Sequence, residues 1–413
     1  MTMHAQRAYS GRAGYLRDIS RQLWPDPASA ESGLRTAAGE PGDLSMIVLP
    51  GLSDPRLLVP SGRRPAASAV RRYGEPGSIR SALATRALAA ALASGIGPRM
   101  FRGRLTVRVP PGAETIESRL SEMLGRPVLI SIHLGAPRAN RKPVLQLLTE
   151  AGETVGFAKV GTNALTAGLV RTEQAALDRL HAAGLNHLHA PRVLASDRWN
   201  DLEIMVLSPL PVWQRRTPPR PGALQAAMTE IIGVAGLRES AIASSEYWQH
   251  LTVRLAAVGD GAEPAALRSA LAKLAELAGA TTLRFGSWHG DWTPWNMAST
   301  AAGLLVWDWE RFTTPAPAGF DPLHCWLQAE VVGNSRDPEK AAVACVRRAP
   351  ELLEPFGVAS REARLTALLY LADLSVRYLA DRQEQAGAAL GAPRRWLLPA
   401  LRSGVGELPG KDG

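Results

Sequence analysis

Between residues 127 and 160 the chain lays down three short runs rich in β-branched and apolar residues: 128–134 (VLISIHL), 144–149 (VLQLLT) and 154–160 (TVGFAKV). The connections at 135–142 and 150–153 carry the Gly, Asn and Pro of hairpin loops, so an antiparallel meander is predicted. A helical pattern follows over 167–183, where Leu169, Glu173, Ala176, Leu177 and Leu180 recur at helical spacing and Gly184 offers a stop. Strands predicted at 192–195 and 203–207 complete a unit of five strands and one helix.

The period changes past the Pro-rich stretch 209–221. Helices are predicted over 222–234, 247–258, 264–278, 322–332, 338–348 and 361–383, with one buried strand at 304–307. Upstream, strands at 44–50, 56–60 and 105–109 alternate with a helix over 78–94 and another ending at Gly125. The first 40 or so residues show no sustained period and read as a poorly ordered leader. The sequence therefore predicts an α+β chain in five segments: a leader (1–43), an accessory α/β region (44–126), a β-rich unit (127–210), a helical unit (211–402) and a tail (403–413). A length of 413 residues suits two or three compact units.

The net charge of +9 is unevenly spread: residues 1–125 hold 17 Arg, no Lys and 10 acidic residues, whereas 126–413 hold 30 basic and 28 acidic. These arginines are scattered among Ala, Gly and Pro without interleaved aromatics, which favours a solvated basic surface over a nucleic-acid site. Cys325 and Cys345 are the only cysteines, with no Cys-x-x-Cys or His/Cys cluster beside them. That argues against zinc and against a disulfide framework. No apolar run reaches the ~18 residues a membrane span needs, and no secretory leader is recognisable, so a cytoplasmic location is expected.

Chemistry concentrates in two places. Residues 287–296 read SWHGDWTPWN, giving His289-x-Asp291 and, five residues after the aspartate, Asn296; residues 306–310 then read VWDWE, centred on Asp308. Phosphoryl transfer asks little of a protein beyond a carboxylate to orient and accept the proton of the attacking hydroxyl, and oxygen ligands for magnesium on the nucleotide phosphates. Asp291 can supply the first, Asn296 and Asp308 the second. With 8 His, 15 Asp and 6 Asn in the chain, chance yields a His-x-Asp-x₄-Asn match roughly 0.4% of the time. Coincidence is therefore a poor explanation.

HGDWTPWN followed by VWDWE resembles the catalytic and metal loops of the aminoglycoside phosphotransferase family, within the protein-kinase-like superfamily of small-molecule kinases. The resemblance covers about 127–383. It implies a bilobal fold with a small β-rich nucleotide lobe and a larger helical lobe, ATP (or GTP) between them, and Mg²⁺. By that likeness Asp291 is the catalytic base, Asn296 and Asp308 bind the metal, and His289 supports the loop. Asp321, in GFDPL, matches a later Asp-Pro segment whose carboxylate is chiefly structural.

A kinase of this kind also places a cation on the α- and β-phosphates, held by a helix glutamate. Lys159, one of five lysines against 42 arginines, fits that place at the end of the third run, and Glu173 on the following helix fits as its partner. Loop 135–142 (GAPRANRK) lacks G-x-G-x-x-G; its backbone amides, with Arg138 or Arg141, are candidates to cover the phosphates. Trp292, Trp295, Trp307 and Trp309 around the acidic centre read as packing. The acceptor would be a small-molecule hydroxyl, on a sugar, an aminocyclitol or an amino alcohol, with a sugar or metabolite preferred because the chain is basic and ill suited to attract a polycation. The alternative is a kinase-like protein that binds nucleotide without turnover.

Overall fold

The computed structural model describes residues 11–34, 42–73, 79–95 and 100–409. Residues 1–10 and 35–41 of the predicted leader, 78 at the head of the predicted helix and 410–413 of the tail lie outside them. The chain divides into two compact units, Met1–Gln174 with Pro191–Pro209, and Ala175–Ala190 with Leu210–Gly413.

The first unit is built on nine strands: β1 (Ser29–Leu34), β2 (Leu44–Leu49), β3 (Leu57–Pro60), β4 (Gly103–Arg108), β5 (Leu129–His133), β6 (Val144–Leu148), β7 (Thr154–Gly161), β8 (Val193–Trp199) and β9 (Leu202–Leu207). They form one sheet in the order β1-β4-β2-β3-β5-β6-β7-β9-β8. The meander β5-β6-β7 matches its sequence prediction, and so do β8 and β9. Strand β2 (LSMIVL) shows why its run has no polar alternation. Side chains alternate across a sheet, and here Met46 and Val48 join a core with Leu16, Ile19 and Leu23 of helix Arg12–Leu23. Ile47 and Leu49 meet Ala66, Ala67 and Val70 of helix Arg63–Tyr73 on the other face.

Two expectations change here. Residues 12–34, read as a leader without order, form helix Arg12–Leu23 and strand β1. The helical period was present at Leu16, Ile19 and Leu23 but was hidden among Arg, Gly and Asp. The segments predicted as an accessory region and a nucleotide unit also share one sheet, because β3 pairs with β5 (Leu57↔His133, Leu58↔Ile132). An outer meander strand would otherwise present unpaired N–H and C=O groups, and β3 covers them.

In the second unit the strands are β10 (Arg238–Ala241), β11 (Thr282–Trp288), β12 (Met297–Thr300), β13 (Gly303–Val306) and β14 (Thr313–Pro317). β10, β11 and β14 make a three-stranded sheet, and β12 and β13 a hairpin. The helices Pro221–Gly233, Glu246–Val258, Ala262–Ala278, Phe320–Gln328, Pro338–Leu353 and Ser360–Ala380 fall where the period places them, and Leu397–Gly406 is an addition. Ser360–Ala380 is the central helix: every residue from Leu365 to Val376 is buried, which explains its lack of a polar stripe. Trp288 of β11 packs edge-on against Phe320 at 5.1 Å between ring centres, fixing that strand to the helix Phe320–Gln328. Among the described residues no helix is long and apolar enough to cross a membrane.

Candidate active site

Strand β11 carries the chain into His289-Gly290-Asp291. The turn is held from behind by Asp321 at the start of helix Phe320–Gln328, whose Oδ2 accepts from the His289 amide at 2.8 Å and whose Oδ1 accepts from the Gly290 amide at 3.3 Å. Burial pushes the Asp321 carboxyl up to about 7, against the opposing pull of those two amides. Arg377, from the central helix, donates to the Gly290 carbonyl at 2.5 Å.

His289 is fully buried and both ring nitrogens are engaged with backbone. Nδ1 accepts from the Asp291 amide at 3.1 Å, which leaves the proton on Nε2, and Nε2 donates to the Trp307 carbonyl at 3.1 Å. Burial pushes this imidazole down to about 4, so it is neutral near pH 7. Trp292 and Trp309, both buried, flank it at 5.7 and 4.3 Å between ring centres. Among the sequence candidates, His289 thus ties the 289–296 loop to the 307–310 loop and has no ring nitrogen left for a substrate.

Asp291 reaches forward with its side chain 35% exposed. Its Oδ1 accepts from His324 Nε2 at 3.0 Å and its Oδ2 from Asn296 Nδ2 at 2.9 Å. Burial alone would raise this carboxyl; the hydrogen bond from His324, with the Arg377 guanidinium nearby, outweighs it and holds the group below the usual carboxylate range. Asp291 is therefore ionised at neutral pH, the state a base needs.

Asn296 sends its amide nitrogen to Asp291 twice, to the backbone oxygen at 3.0 Å and to the carboxylate. Its carbonyl oxygen Oδ1 is then the atom suited to a cation. Hairpin β12–β13 brings the second loop alongside: Met297 pairs with Val306, and the Trp307 amide donates to the backbone carbonyl of Asn296 at 3.0 Å. The next residue, Asp308, takes the left-handed conformation (φ 71°, ψ 54°) that aspartate tolerates better than most residues. Its negative charge is felt at Asp291 and at His289. Asp291, Asn296 and Asp308 are thus gathered around one hairpin, and an amide oxygen with a carboxylate is a donor set that suits a hard divalent cation.

In the first unit, Lys159 Nζ lies 2.6 Å from both carboxylate oxygens of Glu173. β7 places Lys159 between β6 and β9, opposite Val144 and Met205. Helix Ala164–Ala183 packs so tightly on the end of β7 that a Cβ on Gly161 would come within 2.5 Å of Ala167 Cα. Arg141 does not project from its loop: it is buried, with its guanidinium 3.7 Å from the ring centre of Tyr15. Arg138, on the same loop, is exposed.

His324, Tyr370 and Arg377 escaped the sequence reading. For His324 a signal existed, since it stands three residues after Asp321 and so on the same helix face. Tyr370 and Arg377 sit seven residues apart, two turns of the central helix, and belong to no local motif.

No protein-family model matches the sequence, and no curated protein does either. Solved structures with similar chain courses include a thermostable mutant of aminoglycoside phosphotransferase APH(4)-Ia in complex with ADP and hygromycin B (15% identity, 72% of this chain and 99% of that one, TM-score 0.46). Choline kinase LicA from Streptococcus pneumoniae is another (15% identity, 70% and 98% covered, TM-score 0.43). A third is amicoumacin kinase hAmiN in complex with AMP-PNP, Ca²⁺ and Ami (11% identity, 68% and 89% covered, TM-score 0.41).

Proposed function

We propose that this chain is an ATP-dependent phosphotransferase of the aminoglycoside phosphotransferase type, moving the γ-phosphoryl group to a hydroxyl of a small molecule. The observation that carries this reading is the posture of Asp291: ionised, partly exposed, and fixed by one N–H donor on each carboxylate oxygen. A carboxylate so held is prepared to take a hydroxyl proton, because its orientation is set before substrate arrives. The acceptor oxygen bonds to the γ-phosphorus as the bridging bond to ADP breaks, and the hydroxyl proton passes to Asp291.

Asn296 and Asp308 would hold Mg²⁺, which supplies charge neutralisation on the nucleotide phosphates. Lys159 is the cation for the α- and β-phosphates, and Glu173 fixes its ammonium. His289 and Asp321 do no chemistry in this scheme; they hold the backbone from which Asp291 projects. A sugar or related metabolite is the preferred acceptor class, since the net charge of +9 would repel a polycation.

The test is nucleotide consumption across a panel of sugars, aminocyclitols and amino alcohols, with Asp291→Ala as control. An acceptor-dependent rate that falls by about 10³-fold in the variant supports the reading. Equal consumption by both proteins overturns it, and tight ATP binding without any turnover supports a nucleotide-binding regulator instead.

A further inference from the structure

We infer that His324, held as its Nε2-protonated tautomer between Asp291 and the hydroxyl of Tyr370, is the positioning residue that orients Asp291 for proton abstraction. This rests on the phosphotransfer reading above.

The donor and acceptor inventory leaves one arrangement. An ionised carboxylate only accepts, so the 3.0 Å contact between His324 Nε2 and Asp291 Oδ1 requires the proton on Nε2. A neutral imidazole then has a lone pair on Nδ1, and the Tyr370 hydroxyl, 2.9 Å away, is the donor that meets it. Both side chains are buried, at 1% and 0% exposure, where an unsatisfied ring nitrogen would be costly. Burial also lowers His324 and raises the Tyr370 phenol well above its ordinary value, so the imidazole stays neutral and the phenol keeps its proton.

The geometry explains why a histidine is used here. Helix Phe320–Gln328 grips the Asp291 loop at two levels: Asp321 binds the amides of His289 and Gly290, and His324, one turn on, binds the Asp291 side chain. With His324 on Oδ1 and Asn296 on Oδ2, the carboxylate plane cannot rotate. Loss of His324 frees that rotation; loss of the Tyr370 hydroxyl leaves Nδ1 without its donor, so the ring is held on the Asp291 side alone and its orientation loosens.

Nitrogen-15 spectra of the intact protein labelled at histidine read the tautomer directly, and steady-state kinetics with the best acceptor read the role. A wild-type His324 protonated on Nε2, whose Nδ1 resonance moves toward that of a lone pair without a donor in Tyr370→Phe, supports the inference. Misplaced groups typically lose about 10²-fold, so kcat should fall by about 100-fold in His324→Ala with the ATP KM within about twofold. His324→Gln, whose amide N–H reaches the same oxygen, should recover at least about tenfold of that. Tyr370→Phe should lower kcat roughly tenfold alone and add nothing in the His324→Gln background. An Nδ1–H tautomer in the wild type, a kcat unchanged in His324→Ala, or an equal Tyr370→Phe penalty in both backgrounds overturns it. A wild type that binds nucleotide but transfers nothing to any acceptor overturns the phosphotransfer reading, and this inference with it, whatever tautomer the spectra show.

Discussion

The Gly290 Cα lies so close to the backbone of Arg311 that an added Cβ would stand 2.1 Å from the Arg311 carbonyl oxygen, and the glycine itself holds φ at +84°. Any side chain here must strain the left-handed backbone and push two loops apart. Gly290→Ala should therefore lose at least about 3 kcal/mol of stability, and the loops that carry Asp291 and Asp308 should separate. Thermal unfolding, with the proposed phosphoryl transfer measured alongside, checks this. A variant with wild-type melting and activity would show that the contact is not as tight as described.

The Lys159–Glu173 pair offers a second test, because removing one member of a buried ion pair disturbs its site more than replacing both. Glu173→Leu or Lys159→Met alone should each lose about 3–5 kcal/mol. The double variant should lose clearly less than the sum of the two, because the two side chains are in direct contact and their effects couple. All three should be inactive if the ammonium serves the phosphates. Urea unfolding curves with turnover measurements on the same preparations separate the structural effect from the catalytic one.

The meander β5–β7, the long helices and the placement of Asp291, Asn296 and Asp308 around one hairpin were legible because each rests on local pattern: a period of two, a period of 3.6, or a spaced motif. Strand β11 was not, because RFGSW mixes Arg, Gly and Ser with its aromatics, and burial there comes from Phe285 and Trp288 meeting distant helices. Helix Arg12–Leu23 was missed for a similar reason: its four buried positions are interrupted by charged residues that face outward. The partners of Asp291 were the least legible. Tyr370 stands 79 residues from Asp291 in the sequence, and only the central helix brings it to the site through His324.

Asp321 should give the protein a pH-dependent stability. Its folded-state value of about 7 lies above the ordinary carboxyl value of 3.8, so between those limits the native state keeps a proton that the unfolded chain has released. Stability from this group is thus fully present below about pH 4 and is lost as pH rises through 7, with a span on the order of 4 kcal/mol. Asp321→Asn cannot ionise, and should flatten the slope of unfolding free energy between pH 4 and 7, although its amide loses one of the two backbone donors and lowers stability overall. Chemical denaturation at half-unit pH steps reads this; parallel slopes in both proteins would assign the dependence to other groups.

Helix Arg12–Leu23 should matter to the proposed nucleotide binding through its stacking contact with Arg141. Tyr15 lies under the Arg141 guanidinium, and its hydroxyl donates to the Arg141 carbonyl at 3.4 Å, so the helix holds the end of loop 135–142. Arg12 adds a second tie through Asp54, and the Arg56 carbonyl accepts from the Leu134 amide at the start of the same loop. The loop has no glycine-rich stretch to mould itself to phosphates; its shape is set by these anchors. Removing the ring in Tyr15→Ala should speed amide hydrogen exchange across 135–142 and raise the ATP KM about tenfold, the ~1.4 kcal/mol expected of a buried cation–π contact. Tyr15→Phe, which keeps the ring, should stay within about twofold of wild type. Faster exchange with an unchanged ATP KM would mean that the loop is anchored as described but does not touch the nucleotide.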